Sequence, residues 1–213
     1  MRRCEATFVG KWRPLAGLAA LFLSAILFVP GCASSNTPDT QQTSNQTIAR
    51  GEADTYSQDE IVRAASDFFG TTSEAVGQAV ARIFADNGRP NAYIKGTEAS
   101  GAFVVGLRYG DGTLQMKSGA TEKVYWQGPS VGFDVGGNGA KVFTLVYNLP
   151  NPEYIYRRFP GVEGSAYFIA GIGVNYQRDE SVTLAPMRTG VGFRLGANVG
   201  YLAYSRQRNV LPF

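Results

Sequence analysis

Residues 126–149 read WQGPSVGFDVGGNGAKVFTLVYNL, two alternating segments on either side of a glycine turn. Val131, Phe133 and Val135 alternate with Ser130, Gly132, Asp134 and Gly136, and after Gly136-Gly137-Asn138-Gly139 the alternation resumes from Lys141 to Leu149. A period of two is the strand period, and a Gly/Asn cluster between two such runs predicts a β-hairpin. Phe143, Leu145, Tyr147 and Leu149 fall on one face, with Val142, Thr144, Val146 and Asn148 on the other. With apolar groups on both sides, the sheet is either covered on both faces or turns one of them into a barrel interior.

The chain from Asn91 onward shows no helical period, only short apolar runs broken by Tyr109-Gly110-Asp111-Gly112, Asn148 to Pro152 and Phe159-Pro160-Gly161. Strands are expected at 91–97, 101–109, 112–117, 122–127, 130–136, 141–148, 153–158, 164–176, 181–187 and 190–204. The fold class is mainly β: a small antiparallel β-barrel or coiled sheet of about ten strands. Of the 26 glycines, 19 lie between residues 96 and 200, which fits turns and close strand packing.

Two N-terminal amphipathic helices precede this sheet. Ser57-Gln58-Asp59-Glu60 has the spacing of a capping box, and Ile61, Ala64, Ala65 and Phe68 follow on one stripe. Thr71-Thr72-Ser73-Glu74 repeats the signature, Val76, Ala79, Val80, Ile83 and Phe84 form the second stripe, and Gly88 and Pro90 end it. With Asp and Glu on the polar sides, packing of both stripes onto the sheet is favoured over a lipid-facing role.

The first 31 residues have a different character. Residues 1–13 carry four positive charges, and Leu15 to Val29 is apolar, short for a membrane span of about 20 residues but suited to a signal peptide. Val29-Pro30-Gly31-Cys32 resembles a bacterial lipobox, which implies acylation of Cys32; Ala33 after it favours the outer membrane by the sorting rule for such lipoproteins. The expected organisation is a lipoprotein signal peptide over 1–31, a flexible tether over 32–55 and a barrel domain over 56–213. The Ser-, Thr-, Asn- and Gln-rich tether lets the domain stand about 25 Å from the bilayer.

Composition removes whole classes of chemistry. The 213-residue chain has no histidine, hence no Ser-His or Cys-His pair and no histidine-ligated zinc. Its two cysteines, Cys4 and Cys32, both precede the domain, and nothing calls for a cofactor. The formal charge of +3 belongs to the signal: removing Arg2, Arg3, Lys11, Arg13 and Glu5 from 20 basic and 17 acidic residues leaves 16 of each. A neutral mature chain disfavours nucleic acid as a partner.

Gly128-Pro129-Ser130-Val131-Gly132 matches G-x-S-x-G, but strand alternation follows Ser130 and no base accompanies it. Gly136 to Lys141 lacks the ending of a phosphate loop, and Gly190-x-Gly192-x-x-x-Gly196 misses the dinucleotide spacing. Asp134, set among apolar residues, is expected to be buried and paired with an arginine such as Arg188 or Arg194. Arg157 and Arg158, and Arg188 with Arg194, are candidates for an anionic ligand, against the plainer reading of a solvated face with ion pairs. The enzymatic alternative is acid-base work on cell-wall glycan by Asp134 with Glu98 or Glu163.

Gly88 to Ile94 (GRPNAYI), GAFVVGLRY at 101–109, YWQGPSVGFDVGG, YNL, RFPGVEGSAY and VGFRLGANVGYLAY together resemble the envelope integrity protein A (EipA) family, over nearly all of Tyr56 to Phe213. The resemblance implies a periplasmic small β-barrel associated with envelope stress resistance and with cell-wall and lipopolysaccharide homeostasis, without assigned catalytic residues. More distantly, GPSVGFDVGGNGAKVFTLVYN is similar to the glycine-rich strands of SYLF (Ysc84-type) lipid-binding domains, which implies contact with phospholipid. The function expected from these observations is that of a non-catalytic periplasmic lipoprotein, anchored through Cys32 to the outer membrane. Its partners would be phospholipid or the proteins that assemble cell wall and lipopolysaccharide.

Overall fold

The computed structural model describes residues 54–134, 139–189 and 200–209. The signal, residues 32–53 of the tether with Cys32, and Arg194 lie outside the described residues, as does the side chain of Asp134.

Two helices lead. In α1 (Gln58–Phe69) the capping box forms in full: Ser57 Oγ accepts from the Glu60 backbone and Glu60 accepts from the Ser57 backbone. Gly70, at φ 69°, ends the helix in the left-handed conformation that glycine adopts without strain. Helix α2 (Ser73–Asn87) starts from Thr72, which makes no side-chain cap, so the second capping signature is a correction. Its end at Gly88 is as the sequence predicts.

Nine strands follow among the described residues: β1 (Ala92–Met116), β2 (Thr121–Asp134), β3 (Ala140–Tyr147), β4 (Arg158–Pro160), β5 (Tyr167–Ile169), β6 (Ile172–Val174), β7 (Gln177–Asp179), β8 (Val182–Thr189) and β9 (Tyr201–Ser205). They form one antiparallel sheet in the order β4-β9-β2-β1-β3-β8-β6-β5, with β7 on β8. The sheet curls as a half-barrel without fully closing. Strand β1 is the organiser. Its first limb pairs with β3 (Ala92 with Val146, Glu98 with Ala140) and its second with β2 (Ala102 with Asp134, Gln115 with Thr121). The three strands expected at 91–97, 101–109 and 112–117 are therefore one.

This overturns the expected hairpin. Among the described residues β2 and β3 do not pair, because β1 lies between them. Alternation identifies which residues share a face, and both segments are strands; it carries no information about which strand is the neighbour. Two smaller corrections have local causes. Pro152–Ile155, expected as part of a strand, is a single 3-10 turn capped by Asn151. The run 164–176 breaks into β5 and β6 around Ala170 and Gly171, at φ 49° and 86°.

The curl depends on bare backbone. A Cβ on Gly96 would lie 2.3 Å from the Asp111 carbonyl oxygen, and one on Gly112 would lie 2.5 Å from that of Lys95. The limbs of β1 thus press face to face, and the Lys117 amide donates to the Asn91 carbonyl at 2.9 Å where their ends meet.

Both sheet faces are covered over β3. Phe143, Leu145 and Tyr147 meet Ile61, Ala65, Phe69, Val76, Val80 and Ile83 of the helices in one core. Val142 and Val146 enter the other core, the interior of the curl, with Ile94, Leu114, Trp126, Phe159 and Tyr204. Leu149 belongs to this second core and not with Phe143, because Asn148 at φ 57° breaks the alternation after β3. Lys141 at the start of β3 donates to the Phe68 and Phe69 carbonyls at 2.8 and 3.3 Å, closing the end of α1 from outside the helix.

Candidate functional site

The even-numbered residues of β1, Ala92, Ile94 and then Glu98, point into the curl, so the strand that supplies the apolar interior also delivers a carboxylate to it. Residue 188 of β8 arrives on the same face, opposite Val142 of β3. Glu98 and Arg188 are each about 5% exposed. Arg188 donates to Glu98 through Nε at 3.0 Å and Nη2 at 3.4 Å, and Trp126 Nε1 donates at 2.8 Å. Arg108 Nε lies 3.2 Å from Glu98 Oε1, near enough for charge attraction but off the angle of a hydrogen bond. Asn175 accepts from Arg188 Nη1.

Burial alone would raise the Glu98 pKa. The guanidinium of Arg188, then that of Arg108, outweigh it and hold the carboxyl below its ordinary range. Glu98 therefore stays ionised with both oxygens engaged. Such a group does not donate a proton to a leaving group near neutrality.

A cleft of about 480 Å³ opens beside this cluster, lined among others by Glu98, Tyr109, Asp111, Tyr125, Trp126 and Gln127. Trp126 forms part of the interior, its ring 5.9 Å from that of Tyr204, while Tyr109, Asp111 and Tyr125 are partly exposed. Lys123 Nζ binds Asp111 Oδ2 at 2.6 Å and lies 5.6 Å from the Tyr125 ring centre. Arg208 Nη2 stands 3.6 Å from Asp111 Oδ1.

The residues singled out from sequence are dispersed. Arg188 takes Glu98 as its carboxylate, and the side chain of Asp134 lies outside the described residues. Arg157 bonds Asp179 at 2.9 Å and Glu180 at 3.4 Å, with its guanidinium 3.6 Å from the Tyr154 ring centre. Arg158 lies over Tyr201. Glu163 is exposed on the segment between β4 and β5 and does not line the cleft. Asp134 is opposite Ala102 in the β1–β2 ladder. The cluster around Glu98 was missed as a unit, although its parity with Ala92 and Ile94 carries the signal that it faces inward. Among the described residues no group of three or more acidic, histidine or cysteine side chains is placed to hold a metal, and no helix is long and apolar enough to cross a membrane.

A family model described as envelope integrity protein A matches residues 54–213. The crystal structure of a beta-barrel-like protein from Brucella abortus superposes with a TM-score of 0.68 at 49% identity, covering 75% of this chain and 99% of that one. No curated protein matches the chain.

Proposed function

The chain belongs to the envelope integrity protein A family, and from that premise we propose that it serves the cell envelope as a holding protein and not as a catalyst. The observation that carries this reading is the engagement of Glu98: the buried carboxylate that lines the cleft is held ionised by two arginines and a tryptophan. Of the two carboxylates weighed as partners of Asp134 for acid-base work on glycan, Glu98 is held in this way and Glu163 does not line the cleft. Purified protein incubated with cell-wall polymer is expected to release no products; measurable turnover would end the holding account.

The attachment is acylation of Cys32, which supplies an anchor worth roughly 0.8 kcal/mol per buried methylene. The domain then works at the periplasmic face of the outer membrane, in contact with phospholipid or with proteins that assemble cell wall and lipopolysaccharide. The lipobox and the polar tether behind it support this reading. Labelled palmitate is expected in the native chain and not in Cys32→Ala, and a native chain without label removes the anchor. Vesicles of phosphatidylglycerol are expected to sediment residues 54–213; protein that stays in the supernatant removes the lipid contact.

A further inference from the structure

We propose that the outer face of the β1–β2 ladder is a binding platform for a neutral oligosaccharide, an inference that rests on the holding role above and names its ligand. Tyr109 pairs with Gln127, and Asp111 with Tyr125. Residues directly opposite in a ladder project to the same face, and residues two apart on one strand do so as well. The four therefore form one quartet: two tyrosines on one diagonal, a carboxylate and a carboxamide on the other. All four line the 480 Å³ cleft, Tyr109, Asp111 and Tyr125 partly exposed and Gln127 buried, and its size is within the range of about 300–1,000 Å³ typical of small-molecule sites. The helices cover the outer face over β3, β6 and β8, and the helical core draws no residue from this ladder.

A sugar ring has C–H faces and a rim of hydroxyls, each hydroxyl both donor and acceptor. Aromatic surfaces meet the C–H faces by dispersion, and the rim requires acceptors and donors set beside them. Asp111 supplies the acceptor. Lys123 occupies its Oδ2, while Arg208 stands 3.6 Å from Oδ1, beyond hydrogen-bond reach, which leaves that oxygen lone pairs for a hydroxyl. Charge points the same way, because among the described residues Lys123 and Arg208 at this face are both directed at Asp111. A phosphate or carboxylate ligand would have to compete with that carboxylate for them. Cleavage is not part of the proposal, since the other carboxylate at the cleft, Glu98, is held by Arg188 and Trp126.

The test is saturation-transfer NMR on the full chain in detergent, against neutral trisaccharides of glucose, mannose, galactose and N-acetylglucosamine, with glycerol 3-phosphate as the anionic comparison. At least one trisaccharide is expected to bind, intact after prolonged incubation. Tyr125→Ala and Tyr109→Ala are each expected to weaken it about tenfold with an unchanged melting temperature. Amide shift changes at 109–111 and 125–127 in the native chain give a readout that does not depend on how a variant folds. The proposal is overturned if no trisaccharide binds, if the shifts fall elsewhere, if neither tyrosine variant matters, or if glycerol 3-phosphate displaces the sugar. Failure here with palmitate labelling intact leaves the envelope reading standing, whereas binding followed by cleavage keeps the site and removes the holding role.

Discussion

Glu98 and Arg188 stand 90 residues apart in the chain and meet in the interior of the sheet at 3.0 Å, one from the first limb of β1 and the other from β8. Strand β3 lies between those strands, so the pair ties three neighbours together across the curl. Glu98→Gln keeps the shape and removes the charge, leaving Arg188 and Arg108 without their anion. Loss of about 3–5 kcal/mol is expected in urea unfolding, the cost of an uncompensated buried charge. Glu98→Leu combined with Arg188→Leu is expected to cost less than the two single changes added together.

The limbs of β1 meet through glycine, which sets a second expectation. Gly96→Ala places a methyl against the Asp111 backbone and the Trp126 ring, neither of which has room to retreat. A loss of about 2–4 kcal/mol is expected from thermal melts, in the range of overpacked cores. Gly77 in α2 is the opposite case: a Cβ there meets nothing within 4 Å, so Gly77→Ala is expected to add about 0.5–1 kcal/mol. If both substitutions change stability in the same direction, the close approach of the limbs is wrong.

Acid should loosen the start of α1. The hydrogen bond from Lys117, then that from the Ser57 backbone, hold the Glu60 pKa at about 2 against an ordinary 4.5. A depressed carboxyl stabilises the fold fully above its unfolded value and loses that contribution as pH falls from about 4.5 to 2. Glu60 is 41% exposed, so solvent screening limits the effect to about 0.5–1 kcal/mol. Unfolding followed across this window should show a smaller acid dependence in Glu60→Gln than in the native chain; an identical dependence would assign it to other groups.

The sequence made local facts legible and left long-range ones hidden. The Ser57 capping box, the helical stripes and the alternation of β3 all depend on neighbours within a few residues, and each is found in place. Which strand lies beside β2 depends on how a 25-residue strand bends, and that is set by the contact of Gly96 with Gly112, which no periodicity reports. Glu98 as a partner of Arg188 is hidden for the same reason, because it reaches Arg188 only after β1 has been placed beside β3. The platform of Tyr109, Asp111, Tyr125 and Gln127 is likewise invisible until the β1–β2 register is known.

The holding role requires a carboxylate that is held and does not exchange protons near neutrality. The most direct measurement is a pH titration of the Glu98 side-chain carboxyl by carbon-13 NMR. The carboxyl is expected to titrate with its midpoint below the ordinary 4.5. A midpoint at or above 4.5 would contradict it and return Glu98 to the candidates for acid-base chemistry.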